Sequence, residues 1–305
     1  MNEPRDVSLR CLIVGVDGSF GGALSEALGE RGHRVFGTTR RRDASAAGGE
    51  LFLDLSQALP LLPEVNVAIV CAAMARFEEC RRDPELAHLV NVTAPLHLAR
   101  SLTRSGARLI FLSTSAVFDC RTPYVDENAI PAPRSAYGRL KAEAEAGLLG
   151  LGPQVSILRL TKVVKPNTGV LSAWIRSLGE GKTVRAFDDH RFCPLRVEDV
   201  VCAIVALTEK GEGGVYHVSG AADLSFADAA EFLAGRIGVA KAQVEAVHGS
   251  GAGIDENDLT PFTSLATGRL SGLTGFVPPK PFDVLQDVYG DEIGVARNLV
   301  TANAG

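Results

Sequence analysis

An apolar run that ends in glycine lies near the start of the chain and limits the folds open to it. Leu9–Gly15 (LRCLIVG) is nearly continuous in apolar residues, and Gly18 and Gly21 follow at three-residue spacing. A run of this kind is typical of a strand buried on both faces of a parallel sheet. Apolar residues then recur at helical spacing over Ser19–Glu30. The three glycines therefore lie in a turn between a strand and a helix.

A glycine turn in this context predicts a dinucleotide site. Glycines let the backbone approach a pyrophosphate, and the start of the helix presents free N–H groups and the positive end of its dipole. The spacing is G-x-x-G-x-x-G rather than the commoner G-x-G-x-x-G. The alternative is a glycine-rich turn that binds nothing. The predicted cofactor contacts here are Gly15, Gly18, Ser19, Phe20 and Gly21.

Strands and helices alternate through the first half of the sequence. Further strands are predicted at His33–Thr38, Val65–Ala72, Arg108–Ser113 and Val155–Leu160, and helices at Pro84–Leu102 and Ser135–Leu149. Such alternation predicts an α/β fold with a doubly wound parallel sheet of the Rossmann type. We therefore predict a dinucleotide-binding Rossmann domain over residues 1–160.

The pattern changes after residue 160. Helices are predicted at Val170–Leu178, Asp199–Thr208 and Phe226–Ile237, a strand at Gly214–Val218, and a final section rich in Pro and Gly. Residues 161–305 are predicted to form mainly a smaller C-terminal substrate-binding lobe, with some segments returning to the Rossmann core. Such a lobe would serve the carboxyl edge of the sheet, where α/β proteins bind ligands.

The end of the second predicted strand indicates which dinucleotide binds. An acidic residue there would bind the ribose 2′-hydroxyl of NAD, whereas an arginine would pair with the 2′-phosphate of NADP. The chain has Thr39 and Arg40 at this point, followed by two more arginines and no acid before Asp43. NADP is therefore preferred over NAD, unless the arginines only solvate a loop. Asp54, with Leu55, is a candidate to flank the adenine.

Tyr137 and Lys141 form the second chemical signal. They lie four residues apart in a predicted helix and so share one of its faces. A nearby ammonium lowers the pKa of a phenol, which makes such a tyrosine usable as a general acid or base. The strand that ends at Ser113 brings a further hydroxyl, that of Thr114, to a position that could orient a substrate oxygen.

These motifs resemble the extended short-chain dehydrogenase/reductase family. The resemblance rests on Gly15-x-x-Gly18-x-x-Gly21, Cys71-Ala72-Ala73, Asn91, Ser113-Thr114 and Tyr137-x-x-x-Lys141. Within the family the chain is most similar to the dTDP-4-dehydrorhamnose reductase branch, through Ser-Thr-x-x-Val-Phe-Asp119 and later segments.

The resemblance implies residue roles. Thr114, Tyr137 and Lys141 would be catalytic, and Tyr137 would exchange a proton with the sugar oxygen while a hydride passes between the nicotinamide and a sugar carbon. The cofactor would also contact Thr39, Arg40, Asp54, Leu55, Cys71, Ala72, Ala73, Asn91, Tyr137 and Lys141. The substrate would be a nucleotide-activated sugar, with Ser115, Lys162, Trp174, Arg191 and Arg196 as candidate contacts.

Two departures keep alternatives open. The reductase branch usually has Asp-Tyr where this chain has Ser115-Ala116, and the acid that sugar 4,6-dehydratases use is absent from this segment. The first interpretation is reduction of a 4-keto sugar. The second is a nucleotide-sugar epimerase with tightly bound NAD, since Ser-Thr-Ser-Ala-Val also resembles epimerases. The third is a non-catalytic dinucleotide-binding regulatory subunit, like that of methionine adenosyltransferase, which is built on the same branch.

Composition limits the partners. Apolar residues make up 46% and charged residues 22% of the 305 residues, and the net charge of −5 with scattered arginines indicates no nucleic-acid partner. The absence of a long apolar run or a basic-then-apolar N-terminus predicts a cytoplasmic protein without a membrane partner. The six cysteines have no paired spacing, so no metal site is expected. A homodimer is possible by analogy with the family.

Overall fold

The computed structural model describes residues 8–43, 50–249 and 259–303. The strands are β1 (Arg10–Val14), β2 (Arg34–Thr39), β3 (Glu50–Phe52), β4 (Val67–Val70), β5 (Arg108–Thr114), β6 (Val155–Leu160), β7 (Lys162–Val163), β8 (Val184–Phe187), β9 (Arg191–Phe192), β10 (Pro194–Leu195), β11 (Gly214–Val218), β12 (Leu224–Ser225) and β13 (Val244–Val247). The helices are α1 (Gly21–Glu30), α2 (Phe77–Arg82), α3 (Pro84–His88), α4 (Ala94–Arg104), α5 (Ala136–Leu149), α6 (Gly169–Gly179), α7 (Val197–Lys210), α8 (Phe226–Ile237), α9 (Gly268–Thr274) and α10 (Pro281–Asn303).

Seven of the strands form one sheet in the order β11-β6-β5-β4-β1-β2-β3. The pairs β1–β2, β1–β4, β2–β3 and β4–β5 are parallel. The order reverses at β1 and β4, which is the switch point at which doubly wound sheets bind their ligands. The predicted Rossmann fold is confirmed, and the strand β4 at its centre is fully buried, as a continuous apolar run requires.

The chain divides into two compact units. The first comprises Met1–Val117, Ser135–Arg159 and Glu198–Tyr216. The second comprises Phe118–Arg134, Leu160–Val197 and His217–Gly305. The segment 118–134, which the sequence analysis assigned to the Rossmann domain, thus belongs to the second unit, and α7 returns the chain to the first.

One apolar core of the first unit includes alternate residues of the central strands, and the intervening residues, such as Cys11, Ile13 and Ile69, are buried as well. Its buried residues come from β1, β4 and β5, and from the helices α4 and α5 that cover them. Leu98, Ala99 and Leu102 on α4 recur at helical spacing, and all three are buried. Phe111 of β5 belongs to this core and is completely buried.

The second unit has a core of its own. Helices α6, α8 and α10 pack together with the strands β8 and β13, which pair in parallel. Helix α8 begins with a capping box, in which Ser225 Oγ accepts a hydrogen bond from the Asp228 amide and the Asp228 carboxylate accepts from Ser225. It ends at Gly238 in the left-handed conformation, with φ of 92°. Its bounds, Phe226–Ile237, are those that the sequence predicts.

Two elements differ from the predictions. The single helix expected over Pro84–Leu102 is three segments, because Leu89–Thr93 forms a π-helical turn between α3 and α4. The final section rich in Pro and Gly contains the long helix α10, which starts at Pro281. Proline is favoured at the first helical position, so the run of prolines before the helix marks its start. No helix in the described part of the chain is both long enough and apolar enough to cross a membrane.

Candidate cofactor and catalytic site

The glycine turn at the end of β1 leaves no room for side chains at two positions. Gly15 has φ of 89°, and a Cβ there would lie 3.0 Å from Cβ of Ala72, which follows β4. A Cβ on Gly21 would overlap the backbone carbonyl of Val16. The turn thus brings the ends of the two strands at the switch point into contact. Because α1 begins at Gly21, its first N–H groups emerge directly at this turn.

The end of β2 is connected to the glycine turn by polar contacts. The buried Thr39 donates from Oγ1 to Oδ2 of Asp17 at 3.0 Å, and Oγ1 also accepts from the backbone amide of Arg41 at 3.0 Å. Nε of Arg41 lies 3.2 Å from the same Asp17 oxygen. Thr39 and Arg41 therefore both bind the carboxylate of Asp17, which lies inside the glycine turn. The sequence spacing did not predict this contact.

The three consecutive arginines have different surroundings. Arg42 lies with its guanidinium 4.2 Å from the centre of the Phe52 ring, while Arg41 pairs with Asp17. Arg40 is exposed, and within the described residues it makes neither an ion pair nor a hydrogen bond. Of the three, Arg40 therefore has the guanidinium that is free to receive a phosphate.

Asp54 begins a tight turn after β3. Its Oδ1 accepts from the Ser56 amide at 2.9 Å and from Ser56 Oγ at 2.7 Å. These hydrogen bonds hold the pKa of the Asp54 carboxyl below its ordinary value. Leu55 beside it is buried, with 6% of its surface exposed. Asp54 and Leu55 thus place one polar and one apolar side chain next to the end of β2.

The segment after β4 is fixed by backbone hydrogen bonds. The first two amides of Cys71–Ala73 both donate to the carbonyl of Val14, each at 3.0 Å. Asn91, in the π-helical turn, is 1% exposed; its Oδ1 accepts from the Met74 amide and its Nδ2 donates to the Met74 carbonyl, both at 3.0 Å. The Asn91 side chain therefore fixes the backbone of Met74, at the end of this segment, and does more than support its own helix.

Tyr137 is positioned by the start of α5. Ser135 caps the helix by accepting the Gly138 amide at its Oγ, 3.1 Å away, so the tyrosine sits in the first turn. The ring packs against Phe77, with the ring centroids 5.9 Å apart, and against Cys80 on α2. Only 9% of the residue is exposed. Burial, and secondarily the Cys80 thiol, raises the pKa of the Tyr137 phenol well above its ordinary value.

Lys141 lies one helical turn further along and is more deeply buried. Its Nζ donates to the Leu112 carbonyl at 2.6 Å and lies 3.5 Å from the centre of the Phe111 ring. Burial lowers the pKa of Lys141 to about 7, opposed by the Glu145 carboxylate and the Cys71 thiol. Burial also raises the pKa of Cys71, to about 12. The ammonium of Lys141 is therefore only partly retained at neutral pH.

The four-residue spacing predicts that Lys141 lowers the pKa of the Tyr137 phenol. In the structure burial dominates both groups: it raises the pKa of Tyr137 and lowers that of Lys141, so each shift favours the neutral side chain. The prediction is wrong because spacing along a helix carries no information on desolvation. Tyr137 is thus a protonated phenol, suited to donate a proton.

The hydroxyl groups at the end of β5 complete this site. Thr114 is half-buried, and its Oγ1 accepts from the Ala116 amide at 3.2 Å. Ser115 is buried in a short 3-10 turn. Ser113 is 5% exposed, and its Oγ has no hydrogen-bond partner among the described residues. Buried hydroxyls are normally paired, so Ser113 is a polar group that the sequence analysis did not assign to the site.

A second pair that the sequence analysis missed lies behind Lys141. Glu145 is one further turn along α5, and its carboxylate is bound by Arg159 of β6. Nε of Arg159 lies 3.1 Å from both carboxylate oxygens and Nη2 lies 2.7 Å from Oε2. Both residues are nearly inaccessible, at 1% and 3% exposed. The spacing 137, 141, 145 was visible as one helix face.

The candidate substrate contacts in the second unit have unequal access. Trp174 is 9% exposed and lies in the core edge-on to Phe226, which leaves little of the indole for stacking on a ligand. Lys162 is exposed, with Nζ 5.9 Å from the Phe226 ring centre. Arg191 is half-buried on β9. Arg196 pairs with Asp287 at 2.7 Å, so its charge is already engaged.

A cluster with metal-ligating side chains lies elsewhere in the second unit. His248 approaches Asp188 at 2.9 Å through Nδ1 and Asp189 at 3.3 Å through Nε2. The hydrogen bond that the Asp188 carboxylate accepts leads the effects that raise the pKa of His248. Both ring nitrogens are thus engaged as donors to carboxylates, and the side chain of the histidine is 65% exposed. We regard the group as an exposed ion-pair cluster.

A family model described as the RmlD substrate binding domain matches residues 9–264. The chain is 31% identical to dTDP-4-dehydrorhamnose reductase of Mycobacterium tuberculosis over 70% of each chain. It is 30% identical to methionine adenosyltransferase 2 subunit beta of Xenopus laevis, over 70% of this chain and 67% of the relative.

A solved structure has the same fold. It is dTDP-4-dehydrorhamnose reductase from Bacillus anthracis in complex with NADP, with a TM-score of 0.79 and 21% identity. The match covers 93% of this chain and 100% of the other.

Proposed function

Because this chain belongs to the RmlD substrate binding domain family, which matches residues 9–264, we propose that it reduces a nucleotide-activated 4-keto sugar. The proposed reductant is NADPH, with NADH as the alternative. A relative from Mycobacterium tuberculosis is named dTDP-4-dehydrorhamnose reductase, and a structural neighbour of that name holds NADP. The observation that carries the proposal is the buried pair of Tyr137 and Lys141, which stands on one face of α5.

The residues at the switch point fit a dinucleotide. Gly15 and Gly21 leave space that a Cβ would fill, and the start of α1 offers N–H groups to a pyrophosphate. The free guanidinium of Arg40 suits a 2′-phosphate. The ends of β1 and β4 are joined by the hydrogen bond from the Ala72 amide to the Val14 carbonyl, and they would lie beside a nucleoside of the cofactor. The cofactor, when bound, supplies the hydride; everything else in the reaction falls to the side chains of this protein.

The proposed proton donor is Tyr137. Its raised pKa keeps the phenol protonated through the neutral range, which is the form that a reduction needs. As the carbonyl oxygen of the sugar gains negative charge, the O–H bond of Tyr137 breaks and its proton moves to that oxygen. The phenolate left behind is stabilised by the ammonium of Lys141. Thr114, at the end of β5, would donate a hydrogen bond to the same sugar oxygen.

Substrate recognition is proposed to use the second unit. Lys162 and Arg191 remain the candidate cations for the diphosphate of the nucleotide sugar. Arg196 is less suited because Asp287 already neutralises it, and Trp174 is less suited because of its burial. Ser115 is proposed to contact the sugar in place of the aspartate usual in the reductase branch.

One observation favours a second candidate function. A relative at 30% identity is named subunit beta of a methionine adenosyltransferase, which agrees with a non-catalytic dinucleotide-binding subunit. Against this candidate, a protein that only binds has no physical need for Thr114, Tyr137 and Lys141 together. The two candidates differ in one measurable property, turnover.

The test is loss of NADPH absorbance when the protein is mixed with a panel of nucleotide-linked 4-keto sugars. We expect consumption with at least one sugar, and a fall in kcat of about 100-fold or more in Tyr137→Phe, because a positioned acid contributes about that factor. Tyr216→Phe is the matched control: that tyrosine is also buried in the first unit, and its hydroxyl donates to the Glu212 carbonyl. Binding of NADPH without turnover by any sugar would favour the non-catalytic subunit.

A further inference from the structure

The proposed reaction leaves one buried group unexplained, the ion pair behind Lys141. Tyr137, Lys141 and Glu145 stand at four-residue spacing along α5, and the last two are both 1% exposed. Burying an ionised carboxylate and a guanidinium costs several kcal/mol each before their attraction is counted. Hydrophobic residues would fill the same space at less cost. A pair in this position therefore calls for a reason other than stability.

We propose that Glu145, held in place by Arg159, is a positioning residue that keeps Lys141 in its ammonium form while Tyr137 gives up its proton. Only the second part of this inference, proton donation by Tyr137, rests on the proposed function. Two contacts from Nε and one from Nη2 of Arg159 fix the Glu145 carboxylate. Lys141, one helical turn before Glu145 on the same face of α5, and Arg159 thus share a single buried carboxylate.

The electrostatic need for such a residue follows from the surroundings of Lys141. Its Nζ has the Leu112 carbonyl and the face of the Phe111 ring as neighbours, and neither carries a full negative charge. Without a carboxylate nearby, burial would drive the lysine to its neutral form at working pH. A neutral lysine could not stabilise the phenolate of Tyr137. Reduction would then slow at the proton-transfer step.

Other titratable groups do not replace Glu145. Those that face Lys141 or its partners are Tyr137 on α5, Cys71 after β4, Cys80 on α2 and Arg159 on β6. Both thiols are themselves kept protonated by burial. Glu79 on α2 is half-buried and pairs with Arg76 at 3.2 Å. The remaining charges on the helices that pack against α5 are exposed: Glu78, Arg81, Arg82, Glu85, His88, His97, Arg100 and Arg104. Arg108 of β5 donates to the carbonyls of Leu207 and Thr208. Glu145 is thus the buried carboxylate that acts on Lys141.

The first readout needs neither substrate nor cofactor. The chain has seven lysines, so carbon-13 labelling at lysine Cε gives a short list of resonances, and Lys141→Met assigns the relevant one. We expect the double variant Glu145→Gln/Arg159→Met to lower the Lys141 pKa by at least about one pH unit. Removing both partners avoids an unpaired buried charge, which is the change most damaging to folding. Glu145→Asp should restore most of the value.

The matched control is Glu143→Gln. Glu143 lies two residues away on the same helix but on its exposed face, where it pairs with His88 at 3.0 Å. The same substitution there should leave the Lys141 titration unchanged. If the double variant and this control give the same Lys141 pKa as the unchanged protein, the inference is wrong.

The second readout is the pH profile of kcat/KM for sugar reduction. Loss of the carboxylate should move the alkaline fall in kcat/KM to lower pH, by the same amount as the lysine titration moves. A merely structural role would reduce the rate equally at every pH. Absence of turnover in the unchanged protein would count against the proposed function while leaving the lysine titration as a valid test.

Discussion

Arg40 differs in its surroundings from the two arginines that follow it. Arg41 is held by Asp17 and Arg42 lies on the Phe52 ring, so each already has a favourable partner. A phosphate that recruited Arg41 would have to compete with the Asp17 carboxylate. Arg40 has no ion pair among the described residues, although its charge interacts with that of Asp54, and it directly follows the buried end of β2. Choice between NADP and NAD should therefore depend on this residue.

We expect Arg40→Ala to raise the Kd for NADPH by about 10-fold or more and to leave the Kd for NADH within a factor of about two. Hydrogen bonds to charged groups contribute about 1.5–3 kcal/mol, and only NADPH has the 2′-phosphate that would receive them. Fluorescence titration of the reduced cofactors measures both constants. Arg42→Ala is the control and should change neither. A larger selective effect in Arg41→Ala would mean instead that Asp17 releases its arginine when the cofactor binds.

At the residue scale the sequence could predict identities but not environments. The spacing of Tyr137 and Lys141 placed them on one helix face because helical periodicity is a local property. The Asp17 contact joins residues of two different elements, and the Arg159 contact joins a strand to a helix. Contacts of that kind depend on tertiary packing. The missed acids are the residues whose partners lie outside their own element.

Asn91 controls a connection between elements. The π-helical turn Leu89–Thr93 widens the path between α3 and α4, and Asn91 from this turn bonds both polar groups of the Met74 backbone. Single π turns of this kind often occur at functional sites. The hydrogen bonds hold the segment that follows β4 at the switch point. The sequence predicted one regular helix here because the apolar spacing of 84–102 contains no break.

Asn91→Ala should lower the free energy of unfolding by about 2–3 kcal/mol and weaken binding of NADPH about 10-fold. The stability loss has its cause in the half-buried Met74 amide, which loses its acceptor, and in the Met74 carbonyl, which keeps the Cys80 thiol as a donor but loses the Asn91 amide. The affinity loss follows because the segment 71–74 is no longer fixed. Urea unfolding and cofactor titration measure the two effects.

Asn66→Ala is the control for this prediction. Asn66 Oδ1 accepts from the Arg10 amide at 2.8 Å, at the opposite ends of the strands, so its loss should affect stability but not cofactor affinity. Equal effects of the two variants on affinity would show that Asn91 acts only through general stability.

Helices and strands were most predictable where the apolar periodicity agreed with the capping and turn residues at their ends. The strand Val155–Leu160 and helix Phe226–Ile237 have the predicted bounds, and the helix has a cap at each end. Helix α10 escaped prediction because prolines precede it and glycines lie inside it, at 290 and 294. Its helical form depends on packing against α6 and α8, which outweighs the low helix propensity of glycine.

At the scale of the whole molecule, the proposed catalytic site is a place where stability and chemistry conflict. Lys141, Glu145 and Arg159 are all buried beside an otherwise apolar core. The pKa of Lys141 is about 7 when folded and near its ordinary value of 10.5 when unfolded. Between these values the unfolded chain binds more protons than the folded protein, so stability contributed through this group rises with pH. Below pH 7 the protein carries the full cost of the buried ammonium.

We therefore expect the unfolding free energy of the unchanged protein to rise, relative to Lys141→Met, by about 2 kcal/mol between pH 7 and pH 9. Methionine fills a similar volume without a charge, so the variant has no such titration. The window ends at pH 9, below the raised pKa values of the buried thiols Cys11 and Cys71, which both proteins contain. Urea unfolding at three pH values measures the difference, and Lys182→Met, which removes an exposed lysine, should follow the unchanged protein. Parallel curves for the unchanged protein and Lys141→Met would mean that the lysine keeps its ordinary pKa in the folded state, and the site would then contain a permanent ammonium that needs no support from Glu145.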